Sequence, residues 1–115
     1  MDIVERLKQA LSSGSESAQL RFGLATALSS RGEHDEALEH VRVAVELDPD
    51  YSAAWRLLGR TYVEVGNNAE AERAFEQGIV VAERRGDRQL VKEMKVFLAR
   101  VRKAAEQRRR EQERK

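Results

Sequence analysis

The chain repeats itself with a period of 34 residues, and this repeat limits the possible folds more than any other feature of the sequence. Comparing residues 18–51 with residues 52–85 gives identical residues at four positions: Leu24 and Leu58, Gly32 and Gly66, Glu36 and Glu70, Ala37 and Ala71. Several further pairs keep their apolar character or their small size: Ala25 and Gly59, Leu28 and Tyr62, Val41 and Phe75, Ala44 and Gly78, Val45 and Ile79. A period of this length is typical of solenoids, in which each unit buries its apolar face against its neighbours.

Each unit reads as two helices separated by a glycine. In the second unit, apolar or small residues recur at three- and four-residue steps on either side of Gly66, which is the spacing of one helix face. They are Trp55, Leu58, Tyr62 and Val65, then Ala71, Ala74, Phe75, Gly78, Ile79 and Ala82. Asn67 and Glu70 have the spacing of a capping box, and Asp50 is placed to cap the helix that carries Trp55.

Amphipathic segments flank the two units. Ile3, Val4, Leu7, Ala10 and Leu11 predict an N-terminal helix that covers the first unit. After Gly86 a second amphipathic segment runs to Val101. The sequence therefore predicts six helices, over residues 2–12, 17–30, 34–47, 51–65, 68–84 and 88–108.

We expect residues 1–105 to form a single domain, in which the helices over 2–12 and 88–105 cap the repeats. Residues 106–115 contain no large apolar residue, and they are predicted to form a basic, solvated tail that is helical or disordered. From residue 102 onward the net charge is +4, against −3 for the rest of the chain.

Composition excludes several classes of function. Cysteine is absent, which rules out disulfides, thiolate zinc sites and cysteine nucleophiles. No apolar run approaches membrane-spanning length, the N-terminus does not resemble a signal peptide, and we expect a cytoplasmic protein. His34 and His40 are six residues apart, so they face different sides of a helix and are interpreted as surface histidines rather than metal ligands. With no catalytic constellation or phosphate-binding loop, we expect no enzyme activity and no cofactor.

The second unit resembles the tetratricopeptide repeat (TPR) family. Its matching residues are Trp55, Leu58, Gly59, Tyr62, Gly66, Ala71 and Phe75. The first unit matches less well, because Arg21 stands at the aromatic position and Ala25 at the glycine. The second departs near its end, where Gly78 replaces the usual alanine and Glu83 the usual proline.

This resemblance implies an all-α fold, in which antiparallel helix-turn-helix repeats form a short right-handed superhelix with N- and C-terminal capping helices. It also implies a concave groove that binds a peptide or helix of another protein. The implied groove residues are Gln19, Phe22, Thr26, Arg56, Arg60 and Val63. Family members that clamp the C-terminal carboxylate of chaperones use lysine, asparagine and arginine. Phe22, Thr26 and Leu57 stand at the corresponding positions here, so we expect no clamp of that kind.

Two features of the implied groove have competing interpretations. Arg56 and Arg60 are one helical turn apart, and two guanidinium groups would suit a carboxylate-bearing peptide; the alternative is an ordinary solvated helix face. Phe22 lies off the stripe formed by Leu24 and Leu28. It is either part of the groove or packed against the N-terminal helix.

Other kinds of partner remain as alternatives. The apolar residues Phe97, Leu98 and Val101 could support a homo-oligomer. Met94 and Phe97 could form an apolar docking site for a partner, although their spacing favours a covered core. The cluster 108–110 of three arginines could contact nucleic acid or an anionic membrane. Three glutamates and no aromatic residue are interleaved with the basic tail, which favours a solubilising helix end.

Overall fold

The computed structural model describes residues 1–115 and contains six α-helices and no strand. The helices are α1 (Ile3–Ser12), α2 (Ala18–Ser30), α3 (His34–Leu47), α4 (Ser52–Glu64), α5 (Asn68–Arg85) and α6 (Arg88–Glu113). The predicted all-α fold is confirmed. Helix bounds agree with the sequence-based ones to one residue, except that α6 continues five residues beyond residue 108.

The helices form a stack of antiparallel pairs, α2 with α3 and α4 with α5, with α1 packed on α2 and α6 packed on α5. The first helices of the pairs also touch each other, since α2 contacts α4 and α4 contacts α6. Helix α6 therefore occupies the position of the first helix of a third unit. The stack measures 53 × 35 × 19 Å.

Side-chain caps begin four of the helices. The backbone N–H of Glu5 donates to Asp2 Oδ1 at 2.9 Å, and that of Leu20 donates to Ser17 Oγ at 3.0 Å. The side chains of Asn67 and Asp87 cap α5 and α6 in the same way, as the sequence predicted for Asn67. Such caps satisfy N–H groups that have no partner within the helix.

The predicted cap at Asp50 is wrong. Helix α4 begins after Tyr51 and has no side-chain cap, and the Asp50 carboxylate instead pairs with Arg84 of α5. The chain reverses at Pro49 and is held there by the Trp55 indole, whose Nε1–H donates to the Pro49 carbonyl at 2.8 Å. The position of Asp50 is thus set by a neighbouring helix rather than by the helix that follows it.

The core of the second unit depends on a glycine facing an aromatic ring. A Cβ atom added to Gly59 would lie 2.6 Å from both Cδ1 and Cζ of Phe75, which is closer than carbon atoms can pack. Helices α4 and α5 therefore approach so closely that only glycine fits between them. At the equivalent positions the first unit has Ala25 and Val41, both fully buried.

Gly78 explains how α6 is accommodated. A Cβ atom at this position would lie 2.5 Å from Met94 Sδ of α6 and 2.8 Å from Trp55 Cβ of α4. The departure from the usual alanine of the family thus lets α5 pack against helices on both sides at once. Met94 is fully buried, which confirms its assignment to the core.

Helix α6 extends beyond the last residue that it buries in the core. Val101 is its last buried residue, and the following residues to Glu113 are helical and mostly exposed, with an ion pair of 2.7 Å between Glu106 and Arg110. Residues 88–115 contain eleven basic and four acidic residues, whereas residues 1–87 contain ten basic and sixteen acidic ones. None of the six helices combines the length and apolar character needed to cross a bilayer.

Candidate functional site: the face of the first helices

The side-by-side first helices α2, α4 and α6 form one continuous surface, here called the groove face. Three depressions lie on it. Gln19, Tyr51, Ala53, Asp87 and Leu90 are among the residues that line the first, which lies at the N-terminal ends of the helices and has a volume of about 360 Å³. The second, the Ser29 depression, lies between α2 and α4, and the third, the Phe97 depression, lies between α4 and α6; their volumes are about 330 and 240 Å³.

All six groove residues predicted from the sequence lie along this face. Gln19 lines the first depression, Thr26 the second, Val63 the third, and Arg60 both of the last two. Phe22 and Arg56 make contacts between neighbouring first helices, described below.

Phe22 packs on Tyr51, the residue that precedes α4. Its ring lies 4.9 Å from that of Tyr51, at an angle of 40°. Both rings are half-buried and belong to the edge of the larger core cluster. The sequence-based alternatives for Phe22 were the groove or the N-terminal helix; the structure adds Tyr51 as a partner, because the turn at Pro49 brings the two rings together.

The side chain of Arg56 already forms an ion pair within the protein. Its Nη1–H donates to Glu93 Oε2 of α6 at 2.7 Å, and both side chains are about one-third exposed. The Arg56 hydrogen bond, followed by one from Gln89, lowers the pKa of the Glu93 carboxyl. This ion pair ties α4 to α6 across the groove face, so Arg56 has an internal carboxylate partner.

Arg60 differs from Arg56, although the two are one turn apart. Its guanidinium lies 5.3 Å from the centre of the Phe97 ring, a cation–π arrangement, and no carboxylate lies within ion-pair distance of it. The Phe97 ring stacks on the fully buried Phe75 ring at 5.6 Å. Arg60 is thus exposed, rests on the Phe97 ring and forms no ion pair.

The Ser29 depression contains polar groups without partners. Ser29 Oγ and His34 Nδ1 are buried and make no hydrogen bond, while His34 Nε2 lies 3.6 Å from Glu64. The hydroxyls of Thr26 and Thr61 donate to carbonyls of their own helices. A polar group that is buried without a hydrogen-bond partner costs free energy, and the two atoms mark the polar character of this depression.

The interpretation of His40 as a plain surface histidine is wrong. Its side chain is only 12% exposed, and its Nδ1 lies 3.0 Å from Nη1 of Arg21, which itself forms a two-fold hydrogen bond with Glu16. Because arginine can only donate, the Nδ1 atom must be the acceptor. Burial, followed by the charge of Arg21, lowers the pKa of His40. His34, by contrast, lies at the Ser29 depression.

Several residues of the groove face were missed by sequence reasoning. Glu93 and Arg100 belong to α6, which was interpreted as a cap or as a surface for self-association and not as part of the groove, and Tyr51 was placed at a helix end without a role. The 34-residue period places Leu90, Met94 and Phe97 at the equivalents of Arg56, Arg60 and Val63, so it would have identified only Phe97. In the structure, Glu93, Phe97 and Arg100 lie on the side of α6 that neighbours α4.

Comparisons with known proteins agree with this architecture. The family model described as tetratricopeptide repeat matches residues 28–82. A TPR repeat-containing protein of Pseudomonas aeruginosa is 42% identical over 102 residues, which are 89% of this chain and 97% of that protein. A heat-shock protein cognate co-chaperone of Aspergillus fumigatus is 38% identical over 55 residues, which are 48% of this chain but only 16% of the relative.

Solved structures show the same fold. A solution structure of a protein from Bordetella parapertussis superposes with a TM-score of 0.78 at 41% identity, covering 90% of each chain. The Sgt2 TPR domain from Aspergillus fumigatus superposes with a TM-score of 0.79 at 30% identity, covering 93% of this chain and 68% of that one. Such domains are generally protein-interaction modules rather than enzymes. With its repeat register, its glycine–aromatic core and these relatives, the chain belongs to the tetratricopeptide repeat family.

Proposed function

We propose that the protein is an adaptor that binds a peptide or helix of a partner protein on its groove face. The observation that carries the proposal is Arg60. It is exposed, without a carboxylate partner, and located on the ridge between the Ser29 and Phe97 depressions. A cation fixed between a polar and an apolar depression offers a partner charge, hydrogen bonds and an apolar contact in one place.

The partner in this proposal is not the C-terminus of a chaperone, even though one relative is described as a co-chaperone. The clamp of that kind needs lysine, asparagine and arginine where this chain has Phe22, Thr26 and Leu57. Phe22 is packed on Tyr51, and Thr26 donates its hydroxyl to the carbonyl of Phe22. Neither side chain presents a positive charge to a carboxylate.

The proposal is tested by capturing partners from a lysate with two charge-reversal variants. Arg60→Glu places a negative charge on the groove face. Arg42→Glu makes the same change at an exposed arginine of α3, which is not a first helix. We expect a partner captured by the wild type to be lost with Arg60→Glu and retained with Arg42→Glu, while circular dichroism shows both variants folded.

Equal capture by both variants would reject the groove face as the binding surface. Capture of the chain's own copies alone would favour the homo-oligomer, and capture of nucleic acid that disappears on deletion of residues 106–115 would favour the basic tail. Single-variant changes at Arg60 are preferred to changes at Arg56. Reversing Arg56 would place a glutamate against Glu93 and disturb the contact between α4 and α6.

A further inference from the structure

We infer that the α4–α6 side of the groove face selects an extended partner segment in which an acidic residue neighbours a large apolar residue. The apolar side chain would enter the Phe97 depression, and the carboxylate would bind Arg60 and Arg100. This inference rests on the proposed function and names the chemistry of the segment that the groove face would take.

The Phe97 depression offers an apolar floor that the fold leaves uncovered. Phe97 is half-buried, Val63 is 40% exposed, and Val101 closes the depression on the α6 side. Phe97 cannot move deeper into the core because its ring already stacks on that of Phe75. A depression of about 240 Å³ suits a single large side chain, for which removal from water supplies the main gain in free energy.

The rim of this depression carries two arginines that form no ion pair. Neither Arg60 nor Arg100 lies within ion-pair distance of a carboxylate, whereas Arg56 nearby is paired with Glu93. Glu64 is the one acidic residue that lines the depression, and its carboxylate faces His34. The local charge is therefore positive, and arginine binds carboxylates with two parallel hydrogen bonds.

Arg60 is also pre-positioned. Its guanidinium rests over the Phe97 ring, so less conformational entropy is lost when it binds an anion than for a freely rotating side chain. The same guanidinium borders the Ser29 depression, in which only one of the eight lining residues is hydrophobic. A segment that crosses α4 would thus place an apolar residue on one side of Arg60 and a polar group on the other.

The chain's own tail does not fit this site. Residues 106–113 continue α6 as an exposed helix beyond the core, and they are rich in arginine, which the arginines of the rim would repel. The charge of the rim favours an acidic segment from another protein.

The inference is tested with a displayed library of random dodecapeptides selected on the wild-type protein. We expect the enriched peptides to contain aspartate or glutamate beside leucine, phenylalanine or tryptophan. Affinities of synthesised peptides are then measured for Arg60→Glu/Arg100→Glu and for the control Arg42→Glu/Arg109→Glu, in which exposed arginines outside the groove face are reversed. The first variant should lose affinity by at least about tenfold, and the control should lose little.

Three outcomes separate the inference from the proposed function. Acidic–apolar peptides that lose binding in the Arg60→Glu/Arg100→Glu variant support both. Enriched peptides of another composition that keep their affinity in this variant but lose it with Thr26→Arg, on the α2 side, overturn the inference and leave the groove function standing. If no peptide is enriched, or if binding is insensitive to every groove variant while circular dichroism shows them folded, both are rejected.

Discussion

The two repeats fill the same space between their helices in different ways. In the second, Gly59 faces the ring of Phe75; in the first, the equivalent positions hold Ala25 and Val41, both fully buried. A methyl group gained on one helix is matched by a smaller side chain on the other. The comparison teaches that the repeat does not fix the identity of these side chains: a glycine on one helix makes room for an aromatic ring on the other, as a close-packed interior requires.

The difference in core packing between the repeats also affects the groove face. Only the second repeat has an aromatic ring at its centre, and this ring supports Phe97, which in turn supports Arg60. Val41 of the first repeat offers no such stack. The position of the proposed anion-binding arginine therefore depends on a core residue of the second repeat.

The largest expected effect comes from removing that ring. Phe75→Ala should lower the free energy of unfolding by roughly 3–5 kcal/mol, because it leaves a cavity next to Gly59. Val41→Ala, at the equivalent position, should cost clearly less, since fewer carbon atoms are removed. Urea denaturation followed by circular dichroism measures both. Equal losses would show that the two repeats are not packed differently.

An intermediate effect is expected from converting the second repeat into the first. Gly59→Ala alone should cost about 1–3 kcal/mol, since its Cβ would overlap the Phe75 ring. Adding Phe75→Val recreates the Ala–Val pair of the first repeat, so the double variant should cost less than the sum of the single ones. A double-mutant cycle by urea denaturation gives the coupling energy between the two positions. Strictly additive losses would show that the glycine is not needed to make room for the ring.

A smaller effect, equal in the two repeats, is expected at the glycines between helices. Gly32 and Gly66 have φ angles of +76° and +82°, and no atom lies within 4 Å of an added Cβ at either position. Alanine should therefore cost only the backbone strain of the left-handed conformation, about 1–2 kcal/mol at each site. Thermal or chemical unfolding of the two variants checks this; a large difference between them would point to contacts beyond backbone strain.

The smallest effect concerns pH. His40 bonds Arg21 in the first repeat, where the second has Ala74 and Trp55. The folded protein lowers the pKa of His40 below its ordinary value of 6.5, so the unfolded chain binds the proton more readily. The free energy of unfolding should therefore decrease as the pH is lowered from about 7.5 to about 5.5. His40→Ala, which copies the second repeat, should flatten the dependence; an unchanged slope would exclude His40 as its source.

Local features of the fold were predictable from the sequence, and contacts between distant residues were not. The period of 34 residues set the register, and the apolar stripes and the glycines between them set the helix bounds to within a residue or so. Gly78 looked like a departure from the family because its reason lies in Met94, a residue of another helix. The reason for a glycine at this position is seen only when α6 is packed against α5.

The candidate site was predictable only in part. The face of the first helices was identified, and Arg56 and Arg60 were taken as equivalent because they are one turn apart. The structure separates them, since Glu93 neutralises Arg56 and Phe97 supports Arg60. Both partners are more than thirty residues away in the chain, and a helical period contains no information about which distant side chain will reach a given arginine.

The length and charge of α6 have a consequence for how fast a partner arrives. Residues 88–115 carry a net charge of +7 and residues 1–87 a net charge of −6, so the near-neutral molecule is an electric dipole. An acidic segment approaching from solution would be turned toward the α6 end, next to the Phe97 depression, before any contact forms. Such steering raises association rates and weakens as salt shortens the screening length to about 10 Å or less.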